Sequence, residues 1–149
     1  YGPYDNFSIK NGHVIPAIMN RFHGEKAKKD GKFTVYGTGK AYRQFLFAKD
    51  FAKIMCDVLL DKKYDNTEPL ICCNDETTIK EMVGSLADAM DISRDKLEWD
   101  INKSDGCMKK TVDNSKLCKY YPDFKFTSLQ DGLKETYKWF CDNQNTLRQ

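Results

Sequence analysis

The order of hydrophobic and polar positions along this chain predicts helices joined by short strands. Val14, Ala17, Ile18, Arg21, Phe22 and Glu25 follow helical spacing, with Pro16 tolerated in the first turn and Gly24 weakening the end. Phe33-Thr34-Val35-Tyr36 has the composition of a short strand, closed by the tight loop Gly37-Thr38-Gly39. Phe51 to Leu60 reads as a helix apolar over most of its circumference, since only Lys53 and Asp57 are charged. Such a helix is expected to be buried on more than one side. Leu70-Ile71-Cys72-Cys73 is a continuous apolar run, the pattern of a strand covered on both faces. Few other strands are predicted that could flank it, so these two elements lack neighbours within this chain.

The second half is more regular. Thr78-Ile79-Lys80-Glu81 is a capping box, followed by an apolar face of Ile79, Met82, Val83, Leu86, Ala87 and Met90. Leu97-Glu98-Trp99 alternates like a strand, and Ile101 to Lys110 is a polar loop centred on Asp105-Gly106. Asn114 to Tyr120 is a short helix stopped near Pro122. Ser128 caps a last helix whose stripe is Leu129, Leu133, Tyr137 and Phe140, with Thr136 beside it. Tyr1 to Gly12 is loop-like, and Lys26 to Lys32 is a basic, solvated turn.

Composition narrows the function classes. At 149 residues the chain is one domain's worth, or part of a larger protein. It opens on Tyr1-Gly2-Pro3-Tyr4 and reads as the inside of something longer. The 24 Lys plus Arg against 22 Asp plus Glu give a net charge of +2, without the basic excess of a nucleic-acid-binding domain. No apolar run reaches the ~20 residues of a membrane helix. The six cysteines include no CxxC, and with only two histidines no metal site is expected. They read as reduced thiols of a cytoplasmic protein.

Three places could carry chemistry, and each has a plainer reading. Gly37-Thr38-Gly39 could cradle a phosphate, with Lys40 and Arg43 close by in sequence, but it lacks the further glycines and helix opening of a dinucleotide fingerprint. Alone it is an ordinary turn. His13 at a helix start is a capping histidine or a general acid. The loop Lys103 to Lys110 carries one carboxylate and three lysines, which suits a nucleotide or simply solvent. His23 carries no comparable argument, and no nucleophile-base pair can be built.

Taken together these stretches resemble the C-terminal half of an extended short-chain dehydrogenase/reductase. The closest branch is that of the NADPH-dependent 3,5-epimerase-4-reductases that make GDP-L-fucose. The matching text is Y-G-P-Y-D-N-F at Tyr1–Phe7, G-H-V-I-P-A-I at Gly12–Ile18, V-Y-G-T-G at Val35–Gly39 and R-Q-F-L-F at Arg43–Phe47. It continues with T-I-K-E at Thr78–Glu81, K-S-D-G at Lys103–Gly106, and P-D-F-K-F-T and L-K-E-T-Y-K-W-F near the end. The resemblance implies an α/β fold, the substrate-binding portion of a Rossmann-type parent. It implies that His13 is an acid of the epimerisation, and that Arg21, Tyr36, Arg43, Asp105 and Lys110 face the GDP-sugar. It places Tyr1 and Gly2 on the nicotinamide side of an NADPH site held mainly by another domain. Tyr36 stands where many members have Trp, Tyr4 where His is common, and Met108-Lys109 where Pro-Arg is frequent. The glycine-rich NADP loop, the Ser/Tyr/Lys reductase residues and the epimerase cysteine of the family have no counterpart here, so none of the six cysteines is that base. Residues 45–75 are expected to pack on the NADP-binding domain. The implied ligands are GDP-4-keto-6-deoxy-D-mannose and GDP-L-fucose, the implied parent a homodimer, and the chain alone inactive. The rival readings are another GDP-sugar epimerase or dehydratase, and a non-catalytic nucleotide-sugar-binding fragment.

Overall fold

A computed structural model describes residues 1–28, 31–61, 63–64 and 68–148. Helix α1 (Val14–Lys26) forms where its spacing predicts, but it turns Ile15, Ile18, Met19 and Phe22 inward; of the expected stripe only Ile18 and Phe22 are buried, and Val14 is exposed. Strand β1 (Phe33–Tyr36) alternates in burial, with Phe33 and Val35 inside. Strand β2 (Tyr42–Gln44) follows, then helix α2 (Ala48–Asp61). Strand β3 (Glu76–Thr78) runs directly into helix α3 (Ile79–Ala89), and strand β4 (Leu97–Asp100) comes next. Helices α4 (Ser115–Tyr120) and α5 (Leu129–Asp142) complete the chain, with short 3-10 turns at Arg94–Lys96 and Gln144–Thr146.

Two small sheets organise these elements. β1 pairs in parallel with β4, Phe33 opposite Leu97 and Tyr36 opposite Asp100. β2 pairs antiparallel with β3, Tyr42 opposite Thr78 and Gln44 opposite Glu76. The main core lies between α1, α3, α5 and the inner face of β1, built on Phe7, Met19, Phe22, Met82, Leu86, Leu133 and Phe140. Each such side chain contributes roughly 1.5–3 kcal/mol by leaving water. Both predicted caps form. The Thr78 hydroxyl accepts from the Glu81 N–H at 3.1 Å while the Thr78 N–H donates to the Glu81 carboxylate at 2.8 Å. The Ser128 hydroxyl accepts from the Asp131 N–H at 3.1 Å. Asp50, a buried carboxylate on α2, accepts from the Thr127 N–H at 2.7 Å and hydroxyl at 2.8 Å, which ties α2 to the start of α5.

The structure corrects two expectations. Leu70–Cys73 is not a strand. A strand needs a ladder partner for its N–H and C=O groups, and none lies beside it among the described residues. The run instead packs edge-on: Cys73 is buried, Leu70 and Cys72 lie on the small cluster of Ile54, Leu117 and Tyr121, and Ile71 is exposed. α2 begins three residues earlier than its pattern suggested and is not buried on several sides. Ile54 and Asp50 are its buried residues, whereas Phe51 is 46% exposed and Leu60 80%. The apolar circumference is real, but this chain covers little of it. The β2–β3 pair was not legible, because three-residue polar strands leave no periodic trace.

Candidate functional site

A cleft of about 520 Å³ opens between the N-terminus of α1, the end of β1, strand β2 and the 103–110 loop. His13, Tyr36, Arg43, Asp105, Lys110 and Tyr1 all line it. They come from five separate stretches of sequence, and the fold brings them to one wall-to-wall space.

The far wall starts at β1. Its parallel pairing with β4 carries the chain to Tyr36, which is 57% exposed at the cleft edge. Arg21 lies behind this ring. Its guanidinium donates to the Thr34 carbonyl at 2.7 Å and sits 5.0 Å from the Tyr36 ring centroid. Lys103 approaches the same ring at 5.9 Å. Arg21 is not among the residues that line the cleft; it meets the site through Tyr36.

The glycine loop after Tyr36 does not present free amides. The Asp105 carboxylate accepts from the Thr38 N–H at 2.7 Å, the Thr38 hydroxyl at 2.6 Å and the Gly39 N–H at 3.3 Å. A Cβ at Gly37 would lie 2.4 Å from an Asp105 oxygen, and one at Gly39 2.5 Å from the Trp99 ring. Both glycines have positive φ, +87° and +74°. The glycines therefore admit a carboxylate and an indole, and the phosphate-cradle reading of this loop fails. The Thr38 hydroxyl bond, with the two backbone donors, holds the Asp105 carboxyl below the usual aspartate range.

Arg43 and Lys110 stand on a shared wall. The Tyr42 N–H donates to the Met108 carbonyl at 2.8 Å, and the Lys110 N–H to the Tyr42 carbonyl at 3.3 Å. Gln44 fixes the next step: its amide nitrogen donates to the Val112 carbonyl at 3.0 Å, and its oxygen accepts from the Val112 N–H at 2.7 Å. The same nitrogen reaches the Cys73 sulfur at 3.3 Å. Arg43 donates to the Tyr42 carbonyl at 2.7 Å. Neither Arg43 nor Lys110 has a carboxylate partner among the described residues. Two unpaired cations on one wall suit an anion with several oxygens.

His13 occupies the position just before α1 with extended backbone, and its side chain makes no capping bond. The capping reading of this residue is therefore not met; the exposed ring faces the cleft. The Tyr1 ring packs 5.6 Å from that of Phe47, and its carbonyl accepts from the Ala48 N–H at 2.8 Å. Gly2 does not line the cleft; it brings the backbone close to the Ala48 side chain. The sequence reading missed Asp5, Gln44, Phe45, Ile79 and Ser104, which also line it. All five lie inside the stretches that carry the resemblance, which was their one signal: Asp5 in Y-G-P-Y-D-N-F, Gln44 and Phe45 in R-Q-F-L-F, Ile79 in T-I-K-E and Ser104 in K-S-D-G. The cysteines stay outside. Burial pushes the Cys72 thiol up to about 11 and raises that of Cys73, the opposite of an activated thiolate.

The chain resembles known proteins in sequence and in fold. GDP-L-fucose synthase of Dictyostelium discoideum is 38% identical over 99% of this chain, and that of Escherichia coli K12 is 32% identical over 99%. A solved GDP-L-fucose synthetase from Naegleria fowleri, bound to NADP, superposes over 100% of the chain with a TM-score of 0.88 and 34% identity. The chain is similar to GDP-L-fucose synthases over essentially its whole length. It spans about half the length of these relatives: 46%, 48% and 46%. Residues 1–70 match the family model of the NAD dependent epimerase/dehydratase family. The fold is that of the corresponding portion of an extended short-chain dehydrogenase/reductase. A dTDP-glucose 4,6-dehydratase from Bacillus anthracis shares that fold with a TM-score of 0.74 at 21% identity.

Proposed function

We propose that this chain is the GDP-sugar-binding portion, over residues 1–149, of an NADPH-dependent epimerase-reductase that converts GDP-4-keto-6-deoxy-D-mannose to GDP-L-fucose. The observation that carries the reading is the meeting of His13, Tyr36, Arg43 and Lys110 in one cleft. The similarity along the whole chain supports it. Arg43 and Lys110 hold the pyrophosphate, with a forked guanidinium and a point charge respectively. Tyr36, steadied by Arg21, offers an aromatic face to the nucleotide. His13 stands where a proton must be moved beside the 4-keto group. An acid/base partner is needed because inversion at C3 and C5 removes a proton on one face and returns it on the other.

The cofactor fits this chain only at its edge. The Thr38 and Gly39 amides are spent on Asp105 and the Gly37 amide on the Asp100 carbonyl, so they cannot seat the dinucleotide phosphates. Tyr1, Phe45 and Leu46 give the cleft an apolar stretch suited to the nicotinamide end, with Gly2 packed beside it against Ala48 and Phe47. NADPH supplies the hydride for the C4 carbonyl when it is bound, and most of its binding site belongs to a separate domain of the protein. The exposed face of α2 and the coil at 70–73 support packing of residues 45–75 on that domain. By the same resemblance the whole protein is an isomerase as well as an oxidoreductase, homodimeric and cytoplasmic; no described helix is long and apolar enough to cross a membrane.

Calorimetric titration of the full-length protein with GDP tests the reading. Removing one charge-assisted hydrogen bond costs about 1.5–3 kcal/mol, so Arg43→Ala should weaken GDP binding at least about tenfold. Wild-type affinity in that variant overturns the assignment.

A further inference from the structure

The 103–110 loop is fastened to the cleft at both ends. At its far end Tyr42 exchanges backbone bonds with Met108 and Lys110. At its near end the Lys103 N–H donates to the Asp100 carbonyl at 3.1 Å, and one carboxylate, that of Asp105, takes the Thr38 N–H and hydroxyl and the Gly39 N–H. Between the two anchors lies Gly106 at φ +68°, with no atom within 4 Å of a Cβ position there, in a stretch of exposed residues. The other side-chain contacts of this segment, Lys103 over the Tyr36 ring and Lys109 on Glu76, are made by exposed lysines, so the partly buried bonds of Asp105 to Thr38 and Gly39 are the firmest side-chain tie near Ser104.

We propose that Thr38 and Asp105 form a latch, a pair of positioning residues that holds the 103–110 loop in its nucleotide-binding shape. Asp105 thus acts mainly through Thr38 and not as a direct sugar ligand. The inference rests on the GDP-sugar reading above. The two hydrogen bonds of Thr38 use both carboxylate oxygens, Oδ1 for the amide and Oδ2 for the hydroxyl. A carboxylate so committed has little left to offer a sugar hydroxyl. Its lowered affinity for protons fits the same picture, because every donor around it favours the charged form. Among the described residues the Thr38 hydroxyl otherwise only accepts from the Lys40 N–H, at 3.3 Å.

The latch and a direct ligand predict opposite rankings of variants. Thr38→Val keeps the shape of the side chain and removes the hydroxyl. Asp105→Asn keeps an oxygen for the two amides, and its NH₂ can donate to the Thr38 hydroxyl. With a latch, Thr38→Val should raise the GDP dissociation constant of the full-length protein by about fivefold or more, the loss of one hydrogen bond to a charged group. Thr38→Ser should restore it, and Asp105→Asn should cost less than Thr38→Val. Hydrogen exchange on the free protein should show faster exchange at Thr38, Gly39 and residues 103–107 in Thr38→Val alone. Unchanged exchange, wild-type GDP affinity in Thr38→Val, or a ranking with Asp105→Asn clearly worse overturns the latch. A wild-type protein that does not bind GDP overturns the functional reading instead, and the exchange measurement, which uses no nucleotide, still decides whether the pair holds the loop.

Discussion

Gly132 and Tyr1 make a contact whose energetics can be worked out in advance. Gly132 sits on the face of α5 against the Tyr1 ring. A Cβ there would lie 2.3 Å from Oη, 3.0 Å from Cζ and 3.2 Å from Cε2. The ring has little room to retreat, since it packs on Phe47 and its backbone is tied to Ala48. Gly132→Ala therefore sets two terms against each other. Alanine in a helix interior is worth about 1 kcal/mol over glycine, and overpacking costs about 1–3 kcal/mol. The single variant should be neutral to about 2 kcal/mol less stable. Tyr1→Phe removes Oη, a buried hydroxyl with no partner among the described residues, whose unpaired burial costs about 1–3 kcal/mol. In that background the nearest obstacle is Cζ at 3.0 Å, which a shift of a few tenths of an ångström relieves. The same Gly132→Ala should then gain most of its helix term. The coupling in the double-mutant cycle should be about 1–2 kcal/mol in favour of the pair. Melting of the four full-length proteins reads it, at roughly 2–4 °C per kcal/mol for a chain of this size or somewhat larger. Additivity within about 0.5 kcal/mol would refute the reasoning. A pH series gives a second reading. Burial first, then the Asp50 and Asp131 carboxylates, hold the Tyr1 phenol above its ordinary 10.0. The unfolded chain ionises earlier as pH rises past that value, so the wild type loses stability there and Tyr1→Phe loses less.

Two further outcomes follow from the cleft and from α2. His13→Gln in the full-length protein should slow solvent deuterium incorporation at C3 and C5 of the substrate by about 10²–10⁴; exchange at the wild-type rate would remove His13 from the chemistry. The 149-residue chain by itself should self-associate through Phe51, Met55, Leu59 and Leu60, and Leu59→Lys with Leu60→Glu should reduce that association in light scattering. A clean monomer before any substitution would show that the exposed apolar face needs no cover.

Much of the fold was legible in the residues alone. The helical periods of α1, α3 and α5, the Thr78 capping box, the Ser128 cap and strands β1 and β4 are short-range patterns, set by which side a residue must turn inward. The apolar circumference of α2 was legible as well, but a pattern states how much surface asks for cover and not whether cover exists. Leu70–Cys73 shows the difference: its composition is that of a strand, and without a ladder partner it is coil. The three-residue strands β2 and β3 were invisible because they are held by each other and, for β2, by the 108–112 backbone, partners distant in sequence. For the site, the resemblance nominated residues and the tertiary structure set which of them share the cleft. His13, Arg43 and Lys110 are far apart in sequence, and they meet because β1 pairs with β4 and Tyr42 pairs with the 108–110 backbone. Arg21 stands behind Tyr36, Gly2 against Ala48 and Phe47, and Asp105 on Thr38. A carboxylate in a polar loop looks free for any ligand until the fold shows which donors already occupy its oxygens. That information is long-range: Thr38 and Asp105 are 67 residues apart, and no local pattern couples them.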